Sequence, residues 1–586
     1  MEKYRNFSLA GYVYAYYLDG ITEEKLRRDI AFYEYYLPLT KVYLESHRAL
    51  VDIPEETLRM AKRVFLEKGI EVSGGITTTA KVGEKKPSIF DCYCFSDEAH
   101  RENLLSIVRK TASLFDEFIL DDYFFTPCRC EKCIKAKGSR SWERFRLDTM
   151  ADFSRELVAE AKKANPKCSC IIKYPNWYES YAETGYNPEA QKDIFDRIYT
   201  GTESRLSNYN AQHLQRYLSY SLMRLMENSA PGRNGGGWID LGGSSGNVSV
   251  FLQQAELTLF SKARELMLFN FGSMIDEPAA AALGIALRKA DVLLGKLGNP
   301  LGVSVYEPYA SGGEDQLINY IGMLGIPLEP KPYFDEEAKE VFLTENSAKD
   351  PDVVKKLEKY VREGGVAVIT SGFLKAAEGM GIRQLTSACV TGRKLSGTRF
   401  ALTNLNVSSG NTVMTDEKVS FTELAHKNNA TWEDVLLFSN DTSMGILTED
   451  YYGKGFLYIL DIPDNFGDLY RLPKEVIGAI GKDFARGGSL YLSAPAPMNL
   501  FRYDNDVFGV YNLNAFKQDA EIILLGEDIL GFEDIETGAR FTEPDHILPR
   551  PRRKGDSAAF IEEPVEKAFK LPVWPGRYRF FRLIRG

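Results

Sequence analysis

The first half of the chain alternates short apolar runs with longer stretches of helical period, the pattern of a parallel sheet wrapped by helices. Strands are predicted over residues 8–15, 41–44, 70–75, 118–120, 170–174, 197–203, 237–241 and 265–271. Between and after them the 3.6-residue period predicts helices over 23–36, 54–68, 96–114, 141–164, 210–226, 248–262 and 278–297. Eight such strand units within about 295 residues match a (β/α)8 barrel in count and length. No Gly-x-Gly-x-x-Gly follows the first strand, so a dinucleotide fold is not expected.

From about residue 300 the texture changes. Strands at 302–306, 340–343 and 365–370, with helices at 314–324 and 351–363, predict a smaller open α/β domain. Residues 384–464 are strand-rich, and a helix over 473–484 closes this region. From 488 onward short strands with turn signals, such as 489–492 and 520–525, predict a terminal β-sandwich. The expected divisions are therefore 1–298, 299–486 and 487–586. The basic cluster Arg550 to Lys554 reads as a solvated loop.

A formal charge of −10 argues against a nucleic-acid partner, which needs a basic face. No apolar run reaches the length of a membrane span. The opening residues, Met1 to Phe7, lack the apolar segment of a signal peptide, so the protein is expected to be cytoplasmic unless a leader precedes it. Aromatic residues make up 12% of the chain, with 32 Tyr and 34 Phe; this suits a sugar ligand, whose C–H faces pack on rings, and equally suits aromatic cores.

The densest chemistry lies in Phe118-Ile119-Leu120-Asp121-Asp122-Tyr123-Phe124-Phe125 and the following Cys128-x-Cys130-x-x-Cys133. Two acids ending a buried strand are costly unless solvated, paired or working, and the C-terminal end of a barrel strand is where catalytic groups sit. Seven of the eight cysteines fall between Cys92 and Cys170 in tight groups, which favours metal over disulfides. Three thiols in one loop, with a fourth from Cys92 or Cys94, predict a closed structural zinc site with no open position for substrate or water. The bland alternative is a set of free thiols. No cofactor is expected for catalysis.

A barrel with Cys-x-Cys-x-x-Cys after its fourth strand, an upstream cysteine, an amidotransferase-like second domain and a small β domain resembles the β-galactosidases of glycoside hydrolase family 42. The resemblance implies a glycosidase on an α/β fold: a (β/α)8 TIM barrel, then an amidotransferase-like α/β domain, then a C-terminal β-sandwich. Cys94-Phe95-Ser96 matches the family's upstream Cys-x-Ser step, which makes Cys94 the implied fourth ligand beside Cys128, Cys130 and Cys133. The family's Asn-Glu-Tyr is Asp121-Asp122-Tyr123 here, which places Asp122 at the acid/base position. Where the family has a nucleophilic Glu after strand seven, this chain has Ile239-Asp240-Leu241. The Asp-Asp-Tyr-Phe ending also resembles other barrel glycosidases, some with an Asp nucleophile at strand four. The resemblance further implies an association of like chains through the second domain.

Glycoside hydrolysis needs two carboxyl groups flanking the bond. Asp122, with Asp121 as its orienter or a sugar ligand, is the first candidate. Glu203 is the expected partner, with Gly201 letting the backbone bend and Arg205 lowering its pKa, and Asp240 ranks third. Glu45, His47, Arg48, Arg205 and the aromatic Tyr174, Trp177, Tyr178 and Trp238 are candidate substrate contacts. No Gly-x-Ser-x-Gly elbow supports a serine hydrolase. Two functions follow: cleavage of an oligo- or polysaccharide, such as a galactoside, or non-catalytic carbohydrate binding on a hydrolase-like barrel.

Overall fold

The computed structural model describes residues 2–79, 92–205, 212, 214–242, 247–402, 412–548 and 566–586. The predicted loop Arg550 to Lys554, Gly243 beside Asp240, and the first residues of the predicted 210–226 helix lie outside them. The chain divides into two compact units, Met1–Lys296 and Leu297–Gly586.

The first unit is a closed ring of eight parallel strands: β1 (Ser8–Val13), β2 (Lys41–Arg48), β3 (Glu71–Thr77), β4 (Glu117–Leu120), β5 (Ser169–Tyr174), β6 (Arg197–Gly201), β7 (Asn234–Asp240) and β8 (Glu265–Phe269). Each pairs with its successor, and β8 pairs back onto β1. β7 starts three residues earlier than the predicted 237–241, running through Gly235 and Gly236. A Cβ on Gly236 would meet the Glu265 carbonyl oxygen at 2.2 Å, so this close strand approach needs glycine.

The helices begin where their caps place them. Thr22 accepts from the Lys25 N–H ahead of Glu23–Tyr36, Ser141 from Arg144 ahead of Trp142–Ala164, and Asn247 from Val250 ahead of Val248–Phe260. The helix predicted from 210 begins only at Leu218, because Leu214 is held in an extended bridge to Arg205. Side chains alternate along each strand. One set, Tyr12, Tyr43, Ile119, Ile171, Tyr199, Trp238 and Met267, fills the barrel interior. The other, including Phe118, Leu120, Cys170, Ile172, Tyr174 and Ile198, packs outward against the helices.

The second unit holds a nine-stranded mixed sheet. Its parallel part runs Leu328–Lys331, Val303–Tyr306, Glu340–Leu343, Val366–Thr370, Gly455–Leu460, a doubly wound 2-1-3-4-5 order. The strand Leu328–Lys331 escapes sequence reading because Pro330 argues against a strand. It is an edge strand, where a missing N–H is tolerated. Two antiparallel sheets of six and four strands, drawn mostly from residues after 488, share one core that includes Leu492, Leu500, Phe508, Ile522, Phe569 and Phe581. This is the expected sandwich.

Candidate active site

Period two decides what reaches the barrel mouth. Two residues beyond the interior layer, Tyr43 leads to Glu45, Ile119 to Asp121, Ile171 to Lys173 and Trp238 to Asp240. Two residues past Gly201, Glu203 follows Tyr199 in the same sense. Asp122 has the wrong parity, but β4 ends at Leu120 and the chain turns at once, with the Tyr123 N–H donating to the Asp121 carbonyl at 2.8 Å. Both acids therefore face inward.

They converge on a residue that sequence reasoning passed over. The Lys173 ammonium donates to Asp122 Oδ2 and Glu203 Oε1, each at 3.1 Å, and to Asp121 Oδ1 at 3.4 Å. Lys173 sits inside an apolar strand pattern and reads as part of the strand; its parity with Ile171 is the available signal. Its side chain is only 2% exposed, against 26% for Asp122 and 5% for Glu203. Burial alone would lower its pKa, but the three carboxylates outweigh that and raise it, so it stays cationic.

Asp121 is fixed from several sides. Arg48 donates to its Oδ2 at 2.9 Å, Thr77 to the same oxygen at 3.2 Å, and the Asp122 N–H to Oδ1 at 2.8 Å. Burial pushes its pKa up, but Lys173 and Arg48 together bring it below the usual value. Asp122 is different. Burial pushes it up to about 7, with the neighbouring charges of Asp121 and Glu203 adding to the rise and Lys173 opposing it. Two adjacent carboxyls are thus driven apart in pKa by their surroundings.

Glu203 keeps one oxygen on Lys173; its Oε2 is buried and accepts no hydrogen bond. Gly201 serves it by space and not by backbone freedom: a Cβ there would lie 2.8 Å from Glu203 Oε2, and the residue has no positive φ. Arg205, expected beside Glu203, instead donates to Asp240 Oδ2 at 3.1 Å, because Asp240 on β7 comes within its reach across the strand ends. Asp240 retains 19% exposure and stands at the mouth.

Several expected substrate contacts are structural. Glu45 is sealed: it accepts from Tyr12 OH at 2.9 Å, the Ala15 N–H at 2.6 Å, Thr77 and Arg48, which leaves no oxygen for a ligand. It positions Arg48. His47 spends both ring nitrogens, Nδ1 on Asp52 at 2.8 Å and Nε2 on the Thr79 carbonyl at 2.9 Å. Tyr174 is wholly buried on the helix side of β5, the face opposite Lys173. Trp238 is 1% exposed within the barrel, its ring beneath the Lys173 ammonium. Trp177 is half-buried and lies edge-on to Phe125 and Tyr186, with Tyr178 beside it against the same core.

The chain after β4 brings Cys128, Cys130 and Cys133 to Cys94, all four sulfurs within 4.8 Å of one another. Cys92 stays outside this group. Cys94 Sγ lies 3.6 Å from both Cys130 Sγ and Cys133 Sγ. Thiolates bonded to one zinc at about 2.3 Å in a tetrahedron have sulfurs about 3.8 Å apart, so the donor set fits the ion in type and spacing. No described helix is long and apolar enough to cross a membrane.

Residues 1–284 match a family model described as "Probable glycosyl hydrolase, catalytic domain", and residues 298–465 match one described as the second domain of uncharacterized protein SSO3021. That protein, from Saccharolobus solfataricus, is 30% identical over 302 residues, 46% of this chain and 50% of its own, so the chain spans about half the length of the curated relative it matches. Among solved structures, a β-galactosidase from Bacillus circulans sp. alkalophilus aligns over 100% of both chains with TM-score 0.61 and 10% identity. Gan42B, a GH42 β-galactosidase from G. stearothermophilus, aligns over 100% of this chain and 99% of its own with TM-score 0.62 and 12% identity. The exo-β-1,4-mannosidase Op5Man5 from Opitutaceae bacterium strain TAV5 covers 78% of this chain and 92% of its own, with TM-score 0.52 and 10% identity. At these identities the likeness is one of fold.

Proposed function

We propose that this chain, whose first 284 residues match a model of a probable glycosyl hydrolase catalytic domain and whose fold is that of the GH42 β-galactosidases, is a glycosidase that cleaves an oligo- or polysaccharide with Asp122 and Glu203. The observation that carries this reading is the shared lysine, 3.1 Å from a carboxyl oxygen of each. Two 3.1 Å contacts set an upper bound of about 6 Å on the separation of the two bridged oxygens, which admits the ~5–5.5 Å spacing of retaining glycosidases. A retaining course is therefore the one we favour.

In that course Asp122, protonated near neutral pH, gives its proton to the leaving glycosidic oxygen as that bond breaks. The Glu203 carboxylate forms the ester to the anomeric carbon as the leaving oxygen departs. Asp122, now ionised, takes a proton from the water that releases the sugar. Asp121 and Arg48 hold the turn that aims Asp122. Asp240 and Arg205, at the rim, are placed to meet sugar hydroxyls. The four thiols fit a structural zinc that braces the loop after β4.

An aryl β-galactoside is the first substrate to test, because full-length structural neighbours are β-galactosidases, and an aryl β-mannoside is the second. Wild type should release chromophore. Asp122→Asn and Glu203→Gln should each lose at least about a hundredfold in turnover with unchanged thermal melting. Full activity in both variants sinks the pair. Sugar binding with no chromophore release from any glycoside returns the protein to non-catalytic carbohydrate binding.

A further inference from the structure

Arg502 lies on the strand Met498–Tyr503, in phase with Met498 and Leu500. Those two belong to the core of the sandwich, so Arg502 is carried on the inner face, where the period-two pattern asks for an apolar residue. Beside it opens a cavity of about 330 Å³ with a mostly polar lining, to which Leu490, Phe508, Ile529 and Leu583 of the same core also contribute. Gly488 borders the guanidinium so closely that a Cβ would stand 3.0 Å from Arg502 Nη1. The space is shaped around this side chain.

The acids on the cavity wall are already committed. Asp506 and Asp528 both accept from Arg585, at 2.8 and 2.5 Å. Asp504 accepts from the Asn299 backbone and side chain at 2.8 and 2.7 Å. Glu340 is the acid whose charge reaches Arg502, yet it stands beyond ion-pair distance and turns toward Gly487. Among the described residues the Arg502 guanidinium donates no hydrogen bond and makes no ion pair. Lys339 at the rim adds a second cation.

A guanidinium has five N–H donors, and largely burying it with no protein acceptor is costly. Such a group is retained when something outside the protein accepts those bonds. We propose that this cavity is a binding site for a small oxyanion, a carboxylate, phosphate or sulfate group, gripped by Arg502 with Lys339 at the entrance. The guanidinium fork matches the paired oxygens of such groups. The volume lies at the lower end of small-ligand sites, about 300–1,000 Å³, which leaves room for a body of monosaccharide size. A sugar acid and a free inorganic oxyanion share this chemistry.

The test is calorimetric titration and thermal melting of the full chain with sodium phosphate, sodium sulfate and sodium glucuronate, against glucose and against sodium chloride at equal ionic strength. The proposal expects saturable binding of at least one oxyanion at low millimolar concentration, below the range where salts act by exclusion. Arg502→Met should weaken that binding at least tenfold, and Lys339→Met by a few fold. Since Arg502 has no protein partner, Arg502→Met should melt no lower than wild type without ligand; should it fail to fold, Arg502→Lys takes its place and should bind more weakly. Tighter glucuronate marks a sugar acid as the source, and tighter phosphate or sulfate a free ion. No saturable binding beyond chloride, equal binding in the Arg502 variant, or glucose binding as well as glucuronate overturns the proposal.

Discussion

The Lys173 ammonium stands 4.0 Å from the centroid of the Trp238 ring. A cation over an indole face gains about 2 kcal/mol when both are desolvated, as they are here. The interior layer of the barrel thus acts on the mouth: Trp238 floors the charge that draws Asp121, Asp122 and Glu203 together.

Removing that charge should move the pH profile. Asp122 is raised to about 7 mainly by burial, and Lys173 is what restrains the rise. In wild type the rate should fall above about pH 7, as the proton donor ionises. In Lys173→Met the restraint is gone, so the alkaline limb should move to higher pH while the maximal rate drops. A lysine with a merely structural role would lower the melting temperature and leave the limb in place. The pH–rate profiles of both proteins on one aryl glycoside decide this.

Gly201→Ala should disable the site without unfolding the barrel. The added Cβ would sit 2.8 Å from Glu203 Oε2 and 3.0 Å from the Asn176 nitrogen. The carboxylate end of Glu203 must yield first, and a displacement of about 1 Å in a catalytic group costs on the order of a hundredfold in rate. The expected result is a large fall in kcat, with the melting temperature lowered by only a few degrees. Wild-type kcat in the alanine variant would detach Glu203 from the chemistry.

Much of this was legible in the sequence. The apolar runs reveal all eight barrel strands because each is buried on both faces, and the doubled acids of Asp121-Asp122 after Leu120 signal a mouth. What escaped is relational. Lys173 looks like one polar residue in a strand until its parity with Ile171 is set against the acids of other strands. Glu45 and His47 have the composition of ligand contacts, but each is saturated by neighbours far away in sequence. The partner of Arg205 is a choice between two acids that strand spacing alone does not order. Pro330 hides an edge strand because edge and centre are properties of the finished sheet.

The four-thiol site predicts a metal stoichiometry. Purified protein should carry close to one zinc per chain by elemental analysis. Cys133→Ser, which replaces a buried member of the group, should lose the metal and lower the melting temperature by several degrees, as should a strong chelator. Because four thiolates leave no open position, activity at temperatures where the variant remains folded should persist in large part. Abolition of activity in a fully folded, zinc-free variant would assign the ion to catalysis instead.

The second unit should make stability depend on pH. Burial pushes Glu307 up to about 8, with the bonds from Asn346 and Thr344 only partly offsetting it, and pushes Glu314 up to about 7. Their unfolded values are near 4.3, so the folded state holds protons that the unfolded state has released. The stabilisation is fully present below about pH 4 and is lost progressively as pH rises through 7 and 8. Glu307→Gln keeps an oxygen that can accept from the Asn346 Nδ2 group, now 2.9 Å from Glu307 Oε2, but it cannot ionise. Its melting temperature should therefore match wild type near pH 4 and exceed it near pH 8. Parallel melting curves for the two proteins across that range would show that Glu307 ionises in the fold as readily as in the unfolded chain, so that burial does not raise its pKa.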